Sequence, residues 1–225
     1  MPKRGQIPLS FPERSLSFAE MKLTGANRAA IAAVRQVARW PYHVFCLVGP
    51  AQSGLSTIAL AWAHENAGEV YTADAFADLS PSQLDAVADG SVALDRADLV
   101  GDQARLLQLI SSAERRGGRV LMTAHAAPSH WTVASPDLAS RLRSAPIAGL
   151  APPDEALMRA RLQRAFARHF LALSPVLEDY LVVRLGQSYA HIEDTVAQLS
   201  GAAAGRAVTV PLARELLSDD TGTVE

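Results

Sequence analysis

The sequence predicts an α/β protein: a parallel sheet with helices on both faces, followed by a small all-helical domain. Three observations carry that prediction. Short apolar runs alternate with helical segments from His43 to about residue 147, the strand signal then disappears, and Pro152 and Pro153 stand at the change. A chain of 225 residues has room for one large domain or two small ones and for a substantial core.

Each element has its own signal. Residues 1–20 hold three prolines and scattered charges without helical or strand period, and read as a flexible arm. In NRAAIAAVRQVARW, Ala30, Ile31, Val34 and Val37 recur at helical spacing until Pro41 stops the helix. HVFCLVG, from His43 to Gly49, is the first strand, and STIALAWAHENAG the helix after its loop. EVYTAD (Glu69 to Asp74) is a second strand, PSQLDAVADG a short helix closed by Gly90, and SVALDRAD a third strand. QARLLQLISSAERRGG is a helix ending at Gly117, RVLMTA a fourth strand, and Ile147 lies in a last one. Helices follow at DEALMRARLQRAFARHF, SPVLEDYLVVRLG, YAHIEDTVAQLSGAAA and PLARELLSDD, with Ser174 as an N-cap and Pro175 behind it. No internal repeat is visible.

Composition narrows the function. Hydrophobic residues make up 49% and charged residues 20%, as in an ordinary globular protein. A net charge of −2 gives no electrostatic footprint for neutralising many phosphates, so direct sequence-specific DNA binding is not expected. Cys46 is the only cysteine and sits in an apolar run, which reads as a core residue and rules out a disulfide within one chain. No apolar stretch is long enough for a membrane span and the first residues lack the apolar segment of a signal peptide; a cytoplasmic protein with no membrane partner is expected.

GPAQSGLS, Gly49 to Ser56, has the spacing of a phosphate-binding loop, G-x-x-x-x-G-K-[ST], between a strand and a helix. Leu55 stands where the lysine belongs. Backbone N–H groups around Gly49 and Gly54 can still cradle a diphosphate, and the Ser56–Thr57 pair opens the helix with a hydroxyl suited to Mg. Losing the ammonium removes a contact of about 1.5–3 kcal/mol, one to two orders of magnitude in affinity. The competing reading is a strand-to-helix turn that binds nothing. Asp95, ending a strand, either holds Mg or merely caps a turn, and Thr123, closing another, either polarises a phosphate or is structural. Arg143, Arg159, Arg161, Arg164 and Arg168 form a basic strip that is a solvated face or a partner site. His125 and His130 lack the spacing of a zinc site, so no metal other than nucleotide-borne Mg is expected.

SPDLASRLRSA, Ser135 to Ala145, resembles the box VII segment of the DnaA-related AAA+ family, to which the replication initiator DnaA and its smaller relative Hda, the regulatory inactivator of DnaA, belong. TVPLARELL resembles the last helix of the lid in the shorter members, which carry no helix-turn-helix domain after it. The resemblance implies a five-stranded RecA-like AAA+ domain over residues 21–153 and a helical lid over 154–225. It implies an arginine finger at Arg141, acting in trans. It also implies a nucleotide site for ADP or ATP at Gly49, Gly54, Ser56, Thr57, Asp95 and Thr123, degenerate because of Leu55, and DnaA as a partner. A second departure falls in the lid, where Ala190 stands at the position of the family's sensor arginine, with His191 beside it. Both groups that would grip the outer phosphates from this subunit are missing. An efficient stand-alone ATPase is therefore not expected; stimulation of ATP hydrolysis by DnaA is, with a self-sufficient P-loop ATPase such as a helicase loader, or a protein-binding platform, as alternatives.

QIPLSF, in the arm, resembles the short peptide by which such proteins bind the sliding clamp, the β subunit of DNA polymerase III. Gln6, Ile7, Leu9 and Phe11 fall on its positions. An extended peptide of this kind places a Gln amide at a polar subsite and Leu and Phe in an apolar cleft, while Pro8 lowers the entropy lost on ordering. Replacing Gln6 and Leu9 by alanine is expected to abolish clamp binding in a pull-down without moving the melting temperature; clamp binding that survives the double substitution refutes the assignment.

Overall fold

A computed structural model describes residues 17–203 and 205–219. Gln6, Ile7, Leu9 and Phe11 lie outside the described residues. Five strands form one parallel sheet: β1 (Val44–Val48), β2 (Glu69–Thr72), β3 (Ser91–Asp95), β4 (Arg119–Ala124) and β5 (Ile147–Gly149), in the order β2-β3-β4-β1-β5. The register runs Val44↔Val120 to Val48↔Ala124 between β1 and β4, and Ser91↔Arg119 to Leu94↔Met122 between β3 and β4. Side chains alternate across each strand, and the three central strands are apolar on both faces. Val44, Cys46, Val92, Leu94, Val120 and Met122 enter one core cluster, while Phe45, Leu47, Ala93 and Leu121 enter the other.

Helices cover the two faces accordingly. Ile31 and Val34 of α1 (Arg28–Arg35) and Ile58 and Trp62 of α2 (Leu55–Glu65) pack on the second cluster. On the first lie Phe76 of α3 (Ala73–Ala77), Leu84 of α4 (Pro81–Val87), Leu106 and Ile110 of α5 (Gln103–Arg116), and Leu138 and Leu142 of α6 (Pro136–Ser144). Cys46 is fully buried, and loss of solvation pushes its thiol up to about 12, which fits a core residue rather than a nucleophile.

Three expectations are corrected here. The helix read through Trp40 stops at Arg35, and a short 3-10 turn spans Val37–Arg39. Pro41 pushes Trp40 to extended backbone (φ −65°, ψ 125°), and its ring turns into the core between Phe45 and Trp62, at centroid distances of 4.9 and 5.6 Å. The strand read to Asp74 ends at Thr72, whose hydroxyl accepts the Ala75 N–H at 3.2 Å and starts α3. The arm read through residue 20 gives way by Ser17: Ser17 and Glu20 form a capping box, and Phe18 is 6% exposed within the second cluster, with the Arg35 guanidinium 5.1 Å above its ring.

The all-helical part comprises α7 (Glu155–Arg168), α8 (Pro175–Arg184), α9 (Tyr189–Ala203) and α10 (Val210–Asp219), packed around Leu162, Phe166, Leu181, Ile192 and Val196. Its joint to the sheet domain is a small polar and apolar knot. Ala26, Leu157 and Tyr189 pack together, the Tyr189 hydroxyl donates to the Ala151 carbonyl at 3.0 Å, and Asp154 accepts the Ala26 N–H at 3.3 Å. No described helix is long and apolar enough to cross a membrane.

Phe18→Ala is expected to lower the unfolding free energy by about 3 kcal/mol in a urea titration, the cost of emptying a buried aromatic site. An unchanged midpoint would place Ser17–Glu20 back in the arm.

Candidate functional site

All five strands run the same way, so their C-terminal ends meet along one edge of the sheet. Gly49 follows β1 there, Asp95 ends β3, and Thr123 precedes the last residue of β4, the strand between the other two. The Asp95 carboxylate is held by two hydroxyls: Ser56 donates to one oxygen at 2.6 Å and Thr123 to the other at 2.5 Å. Thr123 in turn accepts the Arg96 N–H at 3.1 Å, which Arg96 presents from a left-handed conformation at φ 59°. The sequence-predicted trio of Ser56, Asp95 and Thr123 is thus assembled.

The loop from Pro50 to Thr57 borders a cavity of about 480 Å³, whose other walls include Arg96, His125, Arg161, Arg168 and Glu193. Gly54, the residue before α2, has φ 100° and no side chain to cap the helix, so among the described residues no side chain caps the first N–H groups of α2. The α2 N-terminus therefore keeps its free donors and its partial positive charge at the cavity. Gly49 is needed for close approach: a Cβ there would stand 2.8 Å from the Ser53 Oγ and 3.0 Å from the Leu150 Cβ. Ser53 is only 5% exposed, and its hydroxyl has no hydrogen-bond partner among the described residues. These residues fit a diphosphate at the loop, and Ser56 with Asp95 would hold the Mg that accompanies it.

Leu55 is part of the cavity wall, but it brings no charge there and its side chain serves the core. It is 4% exposed and belongs to the second core cluster with Ile58, Trp62 and Phe18. Ala190, at the expected sensor position, carries no cation, and the His191 ring lies 3.3 Å from the Leu185 carbonyl rather than at the loop.

The side chain that does reach the loop was not singled out from the sequence. Arg161, on α7, donates to the Ser53 carbonyl at 2.5 Å, and its guanidinium lies 5.1 Å from the centre of the Tyr189 ring. Burial lowers its pKa. In the sequence it reads as one member of a basic strip; the structure divides that strip. Arg159 pairs with Glu155 and Asp179, and Arg168 with Glu193, whereas Arg161 turns toward the other domain. The signal available was its place three and four residues after Met158 and Leu157, both buried.

Arg141 stands elsewhere. It lies on α6, ion-paired with Glu114 and, at 3.3 Å, with Asp137, and its side chain is 28% exposed. It shares a shallow recess with Tyr42 and Val44, at the start of β1, four residues before the end of the strand that leads into the loop. Four residues of strand span about 13 Å.

No protein-family model and no curated protein matches the chain. Solved structures do. Domain III of the Thermotoga maritima replication initiation protein DnaA superposes with a TM-score of 0.75 at 17% identity, over 90% of this chain and 95% of that one. AMPPCP-bound DnaA from Aquifex aeolicus gives 0.67 at 15% identity, over 84% of this chain and 66% of that one, so this chain spans just under two thirds of that protein. The Thermotoga maritima RuvB Holliday junction branch migration motor gives 0.63 at 14%, over 90% and 71%. The chain has a DnaA-like AAA+ fold, with the five-stranded parallel sheet and helices read from its sequence.

Asp154 caps α7, the helix that carries Arg161, by accepting the Leu157 N–H at 2.9 Å. That bond, with further ones from Thr24, Ala26 and Gly25, holds its carboxyl below the usual range. Its contribution is therefore full above the unfolded value of about 3.9 and disappears as pH falls through the lower folded value. Asp154→Ala is expected to cost about 1 kcal/mol of stability at neutral pH, and the gap to the parent chain should close on titration below that range. A gap that stays constant with pH would remove the carboxylate from the account.

Proposed function

We propose that the chain is a cytoplasmic regulator of chromosomal replication initiation resembling Hda: held at the DNA polymerase III sliding clamp through Gln6, Ile7, Leu9 and Phe11, it promotes hydrolysis of ATP bound to DnaA by offering Arg141 in trans. The observation that carries this reading is the position of Arg141. It stands at the opposite end of β1 from its own phosphate loop, half-buried and oriented by Glu114 and Asp137. An arginine placed there has no use for a nucleotide in its own subunit. That position supports a role toward a phosphate brought by a neighbour.

Chemically the device is simple. The guanidinium is permanently charged, and the Glu114 hydrogen bond raises its pKa further. Partly exposed ion pairs of this kind are worth about 0–1 kcal/mol, so exchanging Glu114 and Asp137 for a γ-phosphate costs little. Charge that develops on the phosphoryl oxygens during hydrolysis then meets a pre-oriented cation. The asymmetry of the chain supports the same reading: loop lysine and sensor arginine are absent, while the finger that acts on another subunit is kept. An independent ATPase is disfavoured by Leu55, which is committed to the core.

The Glu114 contact also favours a second reading, a protein-binding platform in which Arg141 only ties α6 to α5. Glu114→Gln separates the two, because it removes the tie and leaves the finger. With DnaA, clamp loaded on DNA and labelled ATP, the chain is expected to speed the loss of bound ATP. Arg141→Ala is expected to lower that rate by about 10³-fold or more, and Glu114→Gln to preserve it. If Arg141→Ala stimulates as well as the parent chain, or if Glu114→Gln fails to the same degree, the finger reading falls.

A further inference from the structure

The cavity at the loop is positively charged on several sides, yet its cations are not equivalent. Arg96 is matched by Asp98 at 3.2 Å and Arg168 by Glu193. Arg161 has no ion-pair partner among the described residues, and its one hydrogen-bond acceptor there is the neutral Ser53 carbonyl. A half-buried guanidinium with five N–H donors, one neutral acceptor and the Tyr189 ring beside it keeps donors for an anion. It lies against the loop so closely that a Cβ on Gly54 would stand 2.7 Å from its Nη2. Two further features of the same spot lack partners among the described residues: the uncapped first turn of α2 and the buried Ser53 hydroxyl. An anion in the cavity satisfies the guanidinium and the helix N-terminus together.

We propose that Arg161 is the phosphate-binding cation of this site, transferred from the loop to the lid. The proposal rests on reading the cavity as a nucleotide site. With a nucleoside diphosphate or triphosphate bound, the guanidinium exchanges the Ser53 carbonyl for oxygens of the β-phosphate, a charge-assisted contact in place of a neutral one. It takes over the task that Leu55 cannot perform, from a helix different from the one where Ala190 stands. A second recess, of about 80 Å³, also borders Arg161, with Ile31, Ile58, Leu150, Leu157, Lys22 and Arg164 in its wall.

The test is calorimetric titration of the full chain with ADP and with AMP, for the parent, Arg161→Ala and Arg161→Lys. ADP carries the β-phosphate and AMP does not. Arg161→Ala is expected to weaken ADP binding about ten- to hundredfold and to leave AMP binding where it was, collapsing the preference for ADP. Arg161→Lys, which keeps the charge and the apolar stem, is expected to retain part of that preference, and it carries the test if the alanine variant melts early. A merely structural role would weaken ADP and AMP together and overturn the proposal. So would a parent chain that binds neither nucleotide, or an alanine variant that binds ADP as tightly or more tightly, which would make Arg161 a plug over the loop. The two proposals fail separately: DnaA stimulation reads Arg141, and the ADP-to-AMP preference of the chain alone reads Arg161.

Discussion

Parallel pairing of β1 with β4 and β5 is the constraint from which both ends of this molecule follow. Parallel neighbours cannot be joined by hairpins, so each strand is followed by a crossover and all C-terminal ends collect on one edge. The loop after β1, Asp95 of β3 and Thr123 of β4 therefore converge without being close in sequence. The order β3-β4-β1 puts Thr123 between the loop and the carboxylate, which is why its hydroxyl ties Asp95 to the Arg96 backbone. The opposite edge receives what the crossovers bring back, and there α6 sets Arg141 against Glu114 beside the start of β1. One sheet thus separates the loop edge from the Arg141 edge, and under the proposed function that is the geometry a head-to-tail arrangement of subunits needs.

Much of this was legible because the signals are local. Apolar runs with β-branched residues marked the strands, the glycine spacing marked the loop, and Ser-Pro marked the start of α8. What was not legible depends on which face of a helix meets a second body. Arg159, Arg161, Arg164 and Arg168 are alike as letters, and the spacing from Leu157 and Met158 singles out Arg161 only once those two are known to be buried. Only the placement of α7 against the loop makes the Arg161 direction an interior one. The same limitation hid Phe18, whose burial is decided by a groove beside α1 and α2 rather than by any pattern in its own segment. Thr72 shows the local version: a hydroxyl at the end of an apolar run reads as strand until it caps a helix.

Leu55 is better understood as a change of environment than as a missing charge. A lysine at the head of α2 would need its ammonium in the cavity, at the positive end of the helix, where only a bound anion compensates it. Leucine removes that repulsion and adds apolar contact beside Ile58, Trp62 and Phe18. The loop is thereby less dependent on a ligand, which suits the role proposed for Arg141 toward another subunit's nucleotide. The cost falls on phosphate affinity.

Placing the replacement cation on the lid changes the physics of the site, and not only its strength. A lysine on the loop moves with the loop, so its contact with phosphate is independent of where the lid stands. Arg161 moves with α7, whose position is fixed by Asp154 at its N-terminus and by the Tyr189 hydroxyl on Ala151. Any phosphate that engages Arg161 must therefore select the lid position that brings the guanidinium to the loop, and its affinity carries the free energy of that selection. By reciprocity, a partner that holds the lid in that position strengthens the grip on phosphate, and one that draws it away weakens it. The lysine lost from the loop thus leaves a site whose occupancy and lid position are a single equilibrium.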